Sequence, residues 1–124
     1  MVGELLYEDI TEKIIGAAFK VFNTLGQGLP EKIYQSALEY ELKDLGIKFH
    51  RELYCDIKYE NHRVGSFRLD FLVENKVAVE IKARDEIHKK DISQLLTYLK
   101  VKLIKVGLLI VFTCSGVKFK RFVN

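Results

Sequence analysis

The spacing of apolar residues changes period along the chain. From Asp9 onward, Ile10, Ile14, Ala17, Ala18, Val21, Phe22 and Leu25 recur at helical intervals, which predicts a first helix over 9–25. Asp9 and Glu12 have the spacing of a capping box, and Gly26 stands where the helix should end. Gly26-Gln27-Gly28-Leu29-Pro30 reads as a tight helix–helix corner, too short for a phosphate loop. A second helix is expected from about Pro30 to Leu45, with Tyr34, Leu38, Leu42 and Leu45 as its apolar stripe and Gly46 as its stop. Glu31 extends that stripe by one turn. A carboxylate there either complements the helix dipole or points toward the rest of the core.

From Ile47 the period shortens to two. Ile47, Phe49 and Leu53 alternate with Lys48, His50 and Glu52 in a strand running to Tyr59. After a turn at Glu60-Asn61-His62, a second strand runs from Arg63 to Val73, with a bend expected at Gly65. Leu69, Phe71 and Val73 form one side of its end, and Arg68, Asp70 and Leu72 the other. A third strand puts Val77, Val79 and Ile81 on one side and Ala78, Glu80 and Lys82 on the other. Asp91 is the expected N-cap of a third helix reaching about Val101, whose buried stripe is Ile92, Leu95, Leu96, Leu99 and Leu103. Val106 to Phe112 is a continuous apolar run, expected as a buried strand parallel to a neighbour and reached through the third helix. Val117, Phe119 and Phe122 close the chain as an edge strand. Its rim of Lys118, Lys120 and Arg121 reads as protection against edge pairing or as a phosphate contact. This order predicts an α/β fold with a mixed central sheet flanked by helices.

Register decides the candidate chemistry. If Glu74, Asn75 and Lys76 form a three-residue loop, Val73 opposes Val77 and Asp70 opposes Glu80. A two-residue loop would send the two carboxylates to opposite faces. The apolar sets agree with the longer loop. Adjacent carboxylates repel each other, and a cation between them relieves the repulsion. Hard oxygen ligands of this kind suit Mg²⁺ or Mn²⁺. The competing reading of Asp70, Glu80 and Lys82 is a set of strand-end charges with a surface ion pair. Gln94 and Tyr98, four apart, share a helix face beside the apolar stripe, where they can reach a site or make a surface hydrogen bond. His50, His62 and His88 lack identifiable partners in the sequence.

Composition narrows the classes. The chain of 124 residues predicts one domain, and its 48% hydrophobic and 30% charged residues fit an ordinary globular protein. A net charge of +3, spread along the chain, permits nucleic-acid binding without arguing for it. There is no N-terminal apolar core with a cleavage site and no apolar run of membrane-span length. Cys55 and Cys114 stand alone, which predicts reduced thiols and a cytoplasmic location.

The order of elements, with Asp70, then Glu80-Ile81-Lys82, then Gln94 and Tyr98, resembles the PD-(D/E)XK nuclease superfamily. Gly28-Leu29-Pro30-Glu31-Lys32-Ile33-Tyr34 is similar to the Gly-x-x-Glu-x-x-Tyr signature of the GxxExxY proteins. Leu69 stands where the superfamily name has Pro, Asp91 where a His is frequent, and Val111-Phe112 where an Asn-Phe pair is frequent. The resemblance implies a restriction-endonuclease-like core over residues 1–124 and a metal-dependent nuclease with DNA as the expected substrate. It implies that Asp70, Glu80 and the Ile81 backbone carbonyl ligate Mg²⁺ or Mn²⁺, with Glu31 binding directly or through water. Lys82 would orient or help deprotonate the attacking water and stabilise charge in the transition state. Gln94 and Tyr98 would orient the lysine or touch the scissile phosphate. Two other outcomes fit the same core. One is a non-catalytic domain that binds nucleic acid or a protein partner; the other is a dimeric, structure-specific endonuclease resembling junction resolvases. A homodimer or a larger protein partner is compatible with the length of the chain.

Overall fold

Five strands, β1 (Phe49–Tyr59), β2 (His62–Val73), β3 (Val77–Ala83), β4 (Val106–Phe112) and β5 (Val117–Val123), form one sheet in sequence order. The structure is a computed structural model, and it describes residues 6–124. Helices α1 (Glu8–Leu25) and α2 (Glu31–Asp44) cover one face of the sheet, and α3 (Lys89–Lys102) covers the other. Only β3 and β4 pair in parallel, joined through α3 as the crossover; the other neighbours are antiparallel. The fold is the predicted mixed sheet flanked by helices.

Two cores follow from the alternation of the strands. Ile14, Ala18, Leu38 and Leu42 of the helices pack with Phe71, Val79, Ile81, Leu108 and Ile110 on one face. Leu95, Tyr98 and Leu99 pack with Leu69, Ala78, Leu109 and Val111 on the other. Every residue of β4 is buried, because helices cover it from both sides. Each fully buried aliphatic or Phe side chain contributes roughly 1.5–3 kcal/mol relative to exposure. Gly107 lets α3 lie close to β4: a Cβ there would sit 3.1 Å from Leu99 Cδ1 and 3.2 Å from Leu95 Cδ1.

The turns carry the expected chemistry. Tyr59 opposes His62, so Glu60 and Asn61 form a two-residue loop, both with positive φ as a type I′ turn requires. Val73 opposes Val77, which is the three-residue loop. Glu74 fastens this loop to the start of β1 by accepting a 2.8 Å hydrogen bond from the Lys48 amide. A β-bulge lies beside Gly65, where the pairing of β1 with β2 shifts by one residue.

Several expectations are corrected. Asp9 is not an N-cap. Tyr7 turns in left-handed geometry and its carbonyl accepts from the amides of Ile10 and Thr11, so α1 already begins at Glu8. Glu8 and Asp9 lie in the first turn, where they complement the helix dipole. Leu45, Leu96 and Leu103 are 51%, 42% and 83% exposed rather than buried. Leu45 and Leu103 fall on helix C-caps, where the chain leaves the packed face. The largest correction concerns the strands. Leu53 and Leu69 belong to the α3 face, whereas Phe49, Phe71 and Val73 belong to the α1–α2 face. The alternation inverts at Glu52, opposite Asp70, where Glu52 takes a left-handed φ of 60°.

Candidate functional site

The inversion coincides with a split in the sheet. β2 and β3 pair only through Phe71–Val79, Leu72–Ala78 and Val73–Val77. At the next step, carboxylates replace the ladder. The Asp70 amide donates to Glu80 Oε1 at 3.0 Å, and the Ile81 amide donates to Asp70 Oδ2 at 2.7 Å. Each acid therefore satisfies a main-chain donor that the separating strands leave unpaired. The N–H and C=O of one residue in a strand point to the same edge, so the Ile81 carbonyl faces the same gap.

Both acids are nearly enclosed, Asp70 at 4% and Glu80 at 5% exposure. Burial pushes the Asp70 carboxyl up to about 6, against the Ile81 amide, which favours its charged form; the charge of Glu31 raises it further. Burial pushes Glu80 up to about 8, reinforced by the charge of Asp70 and opposed by Lys82. Arg68, two residues before Asp70 on β2, brings Nη2 to 3.8 Å from Asp70 Oδ1.

Glu31 opens α2, and its charge acts on both buried acids. Tyr34 fixes the corner that aims this helix. Its hydroxyl donates to the Gly26 carbonyl at 2.6 Å and accepts from the Leu29 amide at 3.3 Å, while its ring stacks on Phe112 at 4.3 Å. Gly26 and Gly28 turn the corner with φ of 77° and 85°, a region that favours glycine. Gln35, fully buried, was missed in the sequence although it lies four residues after Glu31 in the stripe of Leu38 and Leu42. Its Nε2 donates to Glu31 Oε2 at 3.1 Å, and its Oε1 accepts from Arg51 at 3.4 Å. Arg51 is anchored by Glu39 at 2.7 Å.

Lys82, at the end of β3, faces the start of α3, with Nζ 3.9 Å from Asp91 Oδ1. Asp91 is not the N-cap. His88 holds that position, and Asp91 is buried within the first turn. Its other oxygen accepts from Arg84 at 2.8 Å, and Arg84 also meets His88 Nδ1 at 2.6 Å. Two cations on β3 and beyond it therefore hold the carboxylate toward the sheet. Gln94 is half-buried on α3. Tyr98 is buried beside Leu69 and Cys55, and burial raises its hydroxyl pKa. The structure brings Glu31, Asp70, Glu80 and Lys82 into one electrostatic cluster; among the described residues, neither Gln94 nor Tyr98 has a side-chain hydrogen bond to it.

Comparison with known proteins bears on the family and the fold. The family model of the PD-(D/E)XK nuclease superfamily matches residues 8–122. The chain belongs to the PD-(D/E)XK nuclease superfamily. The crystal structure of SSO0001 has a similar fold, with a TM-score of 0.59 at 18% identity over 95% of this chain. The match takes in 60% of that longer protein. A search of curated proteins finds no match.

PD-(D/E)XK nucleases generally use divalent metals, and the donor set here fits one. Asp70 and Glu80 each commit one oxygen to a main-chain amide, and their second oxygens are not used by those bonds. Their raised pKa values reflect burial and shared negative charge, which a cation offsets. Among the described residues, no three His, Cys, Asp or Glu side chains are gathered to hold an ion by themselves. Mg²⁺ keeps several waters and binds through one or two carboxylates, so it does not require a larger cluster. No helix among the described residues is long and apolar enough to cross a membrane.

Proposed function

We propose that this chain is a divalent-metal-dependent nuclease that hydrolyses phosphodiester bonds in DNA, with residues 1–124 acting as one nuclease domain. The observation that carries the reading is the buried Asp70–Glu80 pair at the point where β2 and β3 separate, with Lys82 on the same strand as Glu80. Neutral acceptors would satisfy the same two amides, whereas two adjacent buried carboxyls, whose ionisation burial opposes, suit a site that a cation completes. Asp70, Glu80 and the Ile81 carbonyl would hold Mg²⁺ or Mn²⁺, with Glu31 binding directly or through water. The ion supplies Lewis acidity, making water a stronger acid and offsetting charge on the phosphate.

The protein groups supply the rest. Lys82 orients the attacking water or helps remove its proton, and its ammonium stabilises the negative charge that develops on the phosphate. Asp91 holds the lysine in position, and Arg84 shares the load on Asp91. In this reading Gln94 and Tyr98 orient the lysine or touch the scissile phosphate, Gln94 from a half-buried position on α3 and Tyr98 from its buried place beside Leu69 and Cys55. The stretch from Gly28 to Tyr34 supports placing the chain among the GxxExxY proteins, and its free Cys55 and Cys114 suit a cytoplasmic setting.

Calorimetric titration of Mg²⁺ and Mn²⁺ into wild type and Asp70→Ala tests the site, with circular dichroism as the control for folding. The expected result is binding by wild type, its loss in Asp70→Ala, and loss of DNA cleavage by at least about 100-fold in both Asp70→Ala and Lys82→Ala. Full cleavage by either folded variant would rule out this assignment. Nucleic-acid binding with no cleavage under any divalent ion would instead identify a binding domain on a nuclease fold.

A further inference from the structure

The β1–β2 hairpin runs on past the split as a two-stranded ribbon. Below Asp70, β2 pairs with β3; above it, from Arg68 to His62, β2 pairs with β1 alone. One face of this ribbon is anchored, because Cys55 is buried and Leu53, Ile57 and Phe67 pack against the α3 core. Among the described residues, the other face is open to solvent at every position but the half-buried Arg68. It carries Tyr54 paired with Arg68, Asp56 paired with Ser66, and Lys58 paired with Arg63. Tyr54 is 66% exposed, and Lys58 and Arg63 are exposed.

The bulge beside Gly65 creates this face. By simple alternation Arg63 would share a side with Gly65 and Phe67, toward α3. The register shift leaves Val64 without a partner and sets Arg63 opposite Lys58, on the side of Arg68. Arg63 is held there by Asp56 at 3.1 Å and Ser66 at 2.9 Å. The open face thus carries three cations and one carboxylate. It is continuous with the site, since Arg68 lies beside Asp70. The ends of β3 and β4, with Lys82 and Arg84, lie at the same end of the sheet.

We infer that the open face of this ribbon is the arm that grips duplex DNA delivered to the Asp70–Glu80 site. The inference rests on the nuclease reading for its occupant. Arg63 and Lys58 contact backbone phosphates, and the Tyr54 hydroxyl donates to a phosphate or sugar oxygen. At about 3.3 Å per residue, the seven residues from Leu53 to Tyr59 extend roughly 20 Å. A ribbon of this width enters the roughly 12 Å major groove of B-form DNA, whereas the deep, narrow major groove of duplex RNA does not admit it.

The test measures binding of a fluorescein-labelled DNA duplex to the full chain by anisotropy, with EDTA present, between 50 and 200 mM KCl. The variants are Lys58→Ala/Arg63→Ala on the ribbon and Lys100→Ala/Lys105→Ala at the far end of the sheet, which removes the same charge. The ribbon pair is expected to weaken binding at least about tenfold and to flatten the salt dependence by about 0.9 in slope per lost contact; the distant pair leaves both nearly unchanged. Tyr54→Phe should weaken binding further without altering the salt slope. Equal effects of the two charge pairs, or no effect of either, would overturn the inference. So would ribbon-dependent binding of duplex RNA in preference to DNA, or a ribbon-dependent change from dimer to monomer in sedimentation with DNA binding intact. Cleavage of the same duplex with Mg²⁺ is scored separately. Ribbon-dependent binding without cleavage refutes the nuclease reading alone, and cleavage indifferent to the ribbon refutes the arm alone.

Discussion

Two adjacent stretches of the β2–β3 hairpin obey different rules. From Phe71 to Val73 the strand is zipped to its neighbour by main-chain bonds and buried between helices. One residue away, at Asp70, the ladder gives way to carboxylates that accept from the separating strands. The zipped part gains stability from apolar burial. The split part gives some of it up by burying two acids whose pKa values burial raises, Glu80 further by the charge of Asp70 and Asp70 further by the charge of Glu31. The difference teaches that a sheet can open a reactive gap without a loop or an insertion. It needs two short acidic side chains able to stand in for ladder partners, and an apolar clamp beside them to keep the strands aligned.

The sharpest way to break this contrast is Phe71→Ala. It empties a fully buried position under α1 and α2, and is expected to cost about 3–5 kcal/mol in urea unfolding. A loss under 1 kcal/mol would mean that the clamp is not what aligns the strands. Glu80→Gln addresses the split side and should act in the opposite direction. The Glu80 pKa lies above its unfolded value, so its contribution is fully present below the ordinary carboxylate range near about 4.3 and is lost as pH rises through about 8. Metal-free Glu80→Gln is therefore expected to gain stability over wild type at pH 8 to 9 and to show no such gain near pH 4. Thermal midpoints across that range check it, and a gain that is the same at both ends would remove the charge explanation. Tyr34→Phe should have the smallest effect, about 0.5–1.5 kcal/mol, by releasing the Gly26 carbonyl and the Leu29 amide. Its diagnostic is Mg²⁺ affinity: a weakened value with the fold intact would tie the glycine corner to the placing of Glu31.

Much of the fold could be read from residue order because local rules dominate it. The apolar run of β4 needed a covered strand, and the odd loop at Glu74-Asn75-Lys76 followed from matching apolar sets, of which Phe71 and Val73 share the face of Val77, Val79 and Ile81 while Leu69 does not. The pairing of Asp70 with Glu80 followed from that same parity. What alternation could not reveal was its own interruption. Leu53 and Leu69 change face because Glu52 leaves β geometry, and nothing in a two-residue period announces that. Gln35 and Asp91 were passed over for another reason. Polar residues are read as surface or caps by default, and only the partners Glu31, Arg51, Arg84 and Lys82 make burial acceptable. The helical spacing of Gln35 with Glu31 and Leu38 was a signal that could have found it.

The crossover through α3 has a consequence for the order of assembly. The β1–β2 and β2–β3 turns are local, and hairpins of this kind close in about 1–10 μs. The parallel pairing of β3 with β4 must wait for α3 to return the chain, a slower and less local step. In the early hairpin Asp70 and Glu80 are still hydrated and free to ionise. Because β4 flanks β3 and α3 packs on its Ala78 face, the full burial of the two acids requires both elements to be in place. It follows that alkaline conditions without metal slow the folding limb of the kinetics, so the same carboxyl groups that serve chemistry in the finished protein set a barrier on the way to it.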